Sequence, residues 1–206
     1  MSTAEDWIDP DEAGVRIILI ADAATAPAAL AAALAAAPVT AVAAPGDRVA
    51  LRQACHAAGV AFLALDAPAD GADGVHLRSA EAVAALRERL GVTAIVGAEV
   101  PPVRHEAMVA GEAGADYVLF RAADRSGSPD LERLVGMVAW WSELFVLPCA
   151  ALVAATPEAA RAVADAGADF IAFGPELWAG QADPAAVLAA VAAVLPNDRA
   201  GPQERR

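Results

Sequence analysis

Carboxylates and arginines recur in this chain directly after short apolar runs. Asp22 follows VRIILIA, Asp66 follows AFLAL, Glu99 follows AIVGA, and Arg121 follows YVLF. Arg48, Arg78, Arg125 and Glu176 stand at comparable places. Carboxylate oxygens suit hard divalent cations, whereas guanidinium groups grip phosphate through paired hydrogen bonds. Asp66 is thus a candidate metal ligand, with capping of the turn before Pro68 as the structural alternative. Arg121 and Arg125 are candidate phosphate clamps, the alternative being a solvated ion pair with Asp124. His76, inside GVHL, is weighed as a general base, but packing in a sheet wall suits it better. His56 and His105 fall on or at the start of helices. Trp140, Trp141 and Trp178 read as packing anchors. No Ser-His-Asp or Cys-His spacing forms a believable triad.

Groups at strand ends do chemistry together only if a fold gathers those ends. A repeat in the chain supplies one. AAGVAFLAL (57–65), ADGADGVHL (69–77), EAGADYVLF (112–120) and DAGADFIAF (165–173) share one pattern. In three of them a helix should end at Gly59, Gly114 or Gly167, where a left-handed cap needs no side chain. A short apolar run follows, as in a buried parallel strand. Strands are expected at 15–21, 39–44, 61–65, 74–77, 93–97, 117–120, 145–149 and 170–173. Helices are expected at 28–37, 48–58, 80–90, 104–113, 131–142, 157–166 and 184–195. Only the connection 66–73 is too short for a helix.

Eight such units predict a single (β/α)8 TIM barrel over residues 15–195, with its chemistry at the C-terminal strand ends. An open doubly wound sheet is the alternative, but PGD at 45–47 is no GxGxxG fingerprint. Residues 1–14 read as an acidic lead-in and 196–206 as a polar, disordered tail.

Composition narrows the partners. The chain has 206 residues, 58% of them hydrophobic and 20% charged, which fits one domain with a sizeable core. The formal charge of −13 disfavours nucleic acid and anionic membranes. All 14 basic residues are arginine, so Schiff-base and P-loop lysine chemistry are excluded. Cys55 and Cys149 match no metal or redox spacing and read as buried hydrophobes of a reducing compartment. The acidic N-terminal residues have the wrong sign for a targeting peptide, so a cytoplasmic location is expected. The uncharged stretch between Asp22 and Asp47 is alanine-rich and broken by Pro27, Pro38 and Pro45, which suits a helix and a strand better than a membrane span.

The order of these motifs resembles the thiamine phosphate synthase and TenI family. ALDAPADGADGVHL (64–77), VGAEV (96–100), EAGADYVLF and DAGADFIAF match it in sequence. The resemblance implies a transferase that joins an aminopyrimidine pyrophosphate to a thiazole phosphate, with Mg2+ on the pyrophosphate. It places Asp66 and Glu81 at the family's metal-binding carboxylates, with Leu65 replacing an asparagine. A small phosphorylated ligand is expected, held by Arg48, Arg121, Arg125 and the backbone of Gly174.

Several family motifs are replaced. AVAAPGD stands for the QxRxK strand end, Glu99 for the GVS serine, and RAADRSGS (121–128) for the PTxTK loop. CAAL (149–152) aligns with the IGGI turn, and Pro175, Glu176 and Leu177 with SAI. Three readings stay open: a transferase of thiamine biosynthesis, a non-catalytic paralogue that binds or regulates, and a different phosphate-site barrel enzyme.

Overall fold

The computed structural model describes residues 14–123, 127, 129–180 and 182–196. Apart from Gly14 and Pro196, the expected lead-in and tail lie outside them, as does Arg125.

Eight parallel strands close into one barrel in sequence order. They are β1 (Arg16–Ile20), β2 (Val39–Ala44), β3 (Ala61–Leu65), β4 (Gly74–Leu77), β5 (Ile95–Val100), β6 (Tyr117–Phe120), β7 (Cys149–Val153) and β8 (Phe170–Phe173). The helices are α1 (Pro27–Ala36), α2 (Val49–Ala57), α3 (Val83–Leu90), α4 (Arg104–Glu112), α5 (Leu131–Leu144), α6 (Pro157–Asp165), α7 (Glu176–Ala179) and α8 (Pro184–Ala192). No helix lies between β3 and β4, as the short connection predicted. Among the described residues, no helix is long and apolar enough to cross a membrane.

Alternation along the strands sorts the apolar residues into two cores. Ile18, Ala41, Leu63, Ile95, Leu119 and Phe170 belong to the barrel interior. Ile17, Val42, Phe62, Val96, Val118 and Ile171 form the layer beneath the helices. Alanines dominate many helix faces; α1 buries only Leu30 and Ala33. Gly59, Gly114 and Gly167 have φ of +70°, +95° and +102°, as the helix-ending role demands. Cys55 and Cys149 are buried, and burial pushes the Cys55 thiol up to about 12.

The repeated Ala-Asp pair has a structural purpose. Asp73, Asp116 and Asp169 each precede an even-numbered strand and grip one residue of the odd strand before it. Their carboxylates accept the N–H of Phe62 (2.9 Å), Val96 (2.7 Å) and Cys149 (2.7 Å). Their own N–H groups donate to the carbonyls of the same three residues. Each aspartate thus satisfies backbone groups where a strand enters the sheet.

Two strands lie later than the periodicity suggested. β5 starts at Ile95 because Arg87 holds the carbonyls of Gly91 and Ala94, both at 2.8 Å, and folds the preceding residues into a helix cap. β7 starts after Pro148, which has no N–H to donate. The residues before it serve α5 instead: Phe145 stacks on Trp141 at 4.2 Å, and the Trp141 indole donates to the Leu147 carbonyl. CAAL is consequently strand, not turn. The short helix α7 after β8 was not anticipated.

Candidate functional site at the barrel mouth

At the C-terminal ends of the strands lies a cavity of about 560 Å³. Its acidic lining groups are Asp22, Asp66, Glu99 and Glu176, and its basic ones are Arg78 and Arg121, with His76 at the floor. The structure therefore brings together most of the strand-end groups singled out from the sequence. Gly174 faces an adjoining cavity of about 200 Å³, which shares Arg121 and Glu176 with the first.

The floor comes from inward-facing positions of three successive strands. His76 of β4 is completely buried, and its Nδ1 is 2.7 Å from the Tyr117 hydroxyl of β6. The two rings stack with centroids 5.8 Å apart. Between them β5 carries Gly97, where an added Cβ would lie 2.1 Å from the Tyr117 ring. Glycine here is a packing requirement. Burial pushes the Tyr117 phenol far above its ordinary range, so it remains a neutral hydroxyl.

Glu99, one inward step further along β5, lies above this pair. Its Oε1 accepts from Arg121 at 3.2 Å, and its Oε2 is 3.9 Å from His76 Nε2. The latter gap exceeds hydrogen-bond reach, and His76 Nε2 is buried without a hydrogen-bond partner. Burial raises the Glu99 carboxyl pKa, but His76 and Arg121 outweigh it and hold the group below its ordinary value. The glutamate is ionised at the mouth.

Asp66 and Asp22 are already occupied. Asp66 adopts φ +60°, unusual for a residue with a side chain. Its carboxylate accepts the Arg78 N–H at 3.0 Å, Nε at 2.7 Å, and also Nη2. Those hydrogen bonds lead the causes that depress its pKa. Asp22 accepts from the N–H groups of Ala24 and Thr25 and from the Thr25 hydroxyl, each at 2.9 Å. The Thr25 hydroxyl is the main cause of its lowered pKa.

The expected ligand sets are not assembled. Asp66 gives both oxygens to Arg78, while Glu81 sits exposed on a single 3-10 turn and does not line the cavity. Among the described residues, no three His, Cys, Asp or Glu side chains are grouped to hold a metal. These side chains do not fit a magnesium site. Arg48 turns away from the cavity to the carbonyls of Asp22 (2.8 Å), Ala23 and Thr25 (2.6 Å). The Glu176 carboxylate crowds Gly174, where an added Cβ would meet Oε2 at 2.1 Å. Tyr117 was missed as part of the site, although its inward phase with Leu119 and Arg121 was readable.

Comparison with known proteins gives this geometry a family. A family model described as thiamine monophosphate synthase matches residues 45–177. Thiamine-phosphate synthase of Erythrobacter litoralis is 39% identical over 139 residues, covering 63% of this chain and 65% of that protein. The protein of the same name from Rhodospirillum centenum is 39% identical over 146 residues, with coverages of 68% and 70%. The chain thus spans about two thirds of the length of these curated relatives. Among solved structures, thiamine phosphate pyrophosphorylase from Pyrococcus furiosus superimposes with a TM-score of 0.70 at 22% identity, covering 86% of this chain and 94% of that one. Geranylgeranylglyceryl phosphate synthase (GGGPS) of Thermoplasma volcanium reaches 0.69 at 15% identity, with coverages of 93% and 96%, a likeness of fold alone. The sequence matches go further than fold: this chain belongs to the thiamine monophosphate synthase family.

Proposed function

We propose that this chain is a family paralogue that binds a small molecule at its mouth and does not carry out the thiamine phosphate synthase reaction. One observation carries the reading: among the described residues, no arginine facing the cavity is held ready for a diphosphate. Arg78 is paired with Asp66 and Arg121 with Glu99. Arg48 is spent on backbone carbonyls. A diphosphate would have to break these contacts and enter beside Glu99 and Glu176, against like charge. Charge-assisted hydrogen bonds contribute about 1.5–3 kcal/mol each, so losing several costs orders of magnitude in rate.

The curated relatives favour a second reading, a retained transferase, because they bear the synthase name at 39% identity. In it, Mg2+ would arrive with the diphosphate, and Asp66 would have to release Arg78. Purified protein incubated with Mg2+, aminopyrimidine pyrophosphate and thiazole phosphate decides between them. The expected result is no thiamine phosphate above background. Steady product formation, abolished in Asp66→Ala, establishes the transferase instead.

A further inference from the structure

Most of the large apolar side chains left to solvent gather on one flank of the barrel. Among the described residues seven are exposed, and five of them, Val103, Met108, Val109, Leu144 and Val146, belong to α4, to the end of α5 or to residues next to these. Leu144 is 61% exposed and Val146 fully so. Two contacts join the helices in one register. The Arg104 guanidinium lies over the Trp140 ring, 4.6 Å from its centroid. Gly111 leaves room for Leu147, whose Cδ2 an added Cβ would meet at 3.0 Å. Met108 and Leu144, each four residues on from the first contact, occupy neighbouring places in that register, so the apolar surface runs across both helices.

An exposed apolar patch rimmed by charge marks an association surface, and the charges on α4 say which partner fits. Arg104, Met108 and Glu112 stand at i, i+4 and i+8, one ridge along the exposed side of the helix. Met108 is its midpoint, with a cation four residues before it and an anion four residues after. Among the described residues, neither Arg104 nor Glu112 forms a salt bridge. Such a ridge complements itself. Turned about a two-fold axis at Met108, it sets Arg104 against Glu112 of a second copy, and Glu112 against that copy's Arg104. An anionic membrane, by contrast, is repelled by the formal charge of −13.

We propose that the chain forms a two-fold symmetric dimer through α4 and the end of α5. Met108 sits on the axis, two reciprocal Arg104–Glu112 pairs flank it, and the second copy covers Leu144 and Val146. Trp140 occupies only the face of the Arg104 guanidinium, which leaves the N–H edge for the carboxylate. None of these residues lines the mouth, so the interface leaves that cavity open.

Sedimentation velocity of the full chain, from micromolar to submillimolar concentration, tests the dimer. The parent should pass from monomer to dimer as concentration rises. Met108→Glu, which sets two carboxylates together on the axis, should weaken association by at least about tenfold. Arg104→Glu should weaken it too, since like charges then meet at both ends of the ridge. Adding Glu112→Arg to that variant should restore the dimer with its ion pairs reversed, and such recovery separates a lost interface from a misfolded chain. A parent that stays monomeric throughout, a dimer untouched by both Met108→Glu and Arg104→Glu, or a charge-swapped double variant that remains monomeric each overturns the proposal.

Discussion

The two ends of the barrel use carboxylates in opposite ways. At the N-terminal end, Asp73, Asp116 and Asp169 repeat one arrangement, each accepting the N–H of a neighbouring strand. Arg87 and His56 reinforce two of them, through Asp116 and Asp73. At the C-terminal end Asp22, Asp66 and Glu99 each have a different setting: a threonine turn for Asp22, an arginine for Asp66, and an arginine beside a histidine for Glu99. Regular repetition serves the sheet, which needs the same backbone groups satisfied at each strand entry. Irregularity belongs to the end where barrels of this kind place their sites.

Substitutions at the two ends should therefore differ in kind. The largest stability loss is expected for Asp116→Ala, which strands the Val96 N–H and leaves Arg87 without its carboxylate. Urea unfolding should show a loss of about 2–4 kcal/mol. A loss below about 1 kcal/mol would erase the distinction between the ends.

Next comes Gly97→Ala, which drives a methyl group into the Tyr117 ring. Overpacking of this kind costs about 1–3 kcal/mol. Thermal unfolding at neutral pH reads it.

A smaller effect concerns acid. The Glu99 carboxyl titrates below its ordinary value of 4.5 in the folded chain. Its contribution is therefore complete above that value and disappears as pH falls through the lower folded value. Urea unfolding from pH 7 down to 3 should fall less steeply below 4.5 in Glu99→Gln than in the parent. Identical slopes would mean that His76 and Arg121 do not stabilise the charged form.

The smallest effect is expected at Asp66→Gly. The substitution removes an exposed ion pair but suits the left-handed backbone, so the two contributions oppose one another. Stability should stay within about 1 kcal/mol of the parent. A much larger drop would make Asp66 a structural residue like those at the other end.

The barrel was legible because its cues are local. Gly59, Gly114 and Gly167 each declare a helix end, and the apolar runs after them declare buried strands. β5 and β7 were placed early because their true starts depend on distant or side-chain contacts: Arg87 collecting carbonyls, and Trp141 stacking on Phe145. Charged residues at strand ends were legible too, since chain position fixes which end of a parallel barrel they occupy. Their partners were not. Arg48 was expected to face a phosphate, yet it lies within reach of three loop carbonyls, a matter of side-chain direction that spacing does not encode. Likewise, Asp66 pairs with Arg78 across two neighbouring strand ends, 12 positions apart.

The aspartate clamps also govern where the polypeptide can be cut. They join β3 to β4, β5 to β6 and β7 to β8, and among the described residues no such clamp crosses from β4 to β5 or from β6 to β7. Six of the eight strands thus form two-strand modules with seams between them. A circular permutant opened at a seam, in the turn before β5 or before β7, keeps each module covalently whole. One opened between β5 and β6 leaves Asp116 to find Val96 from the far end of the chain, against the entropy of closing a long loop.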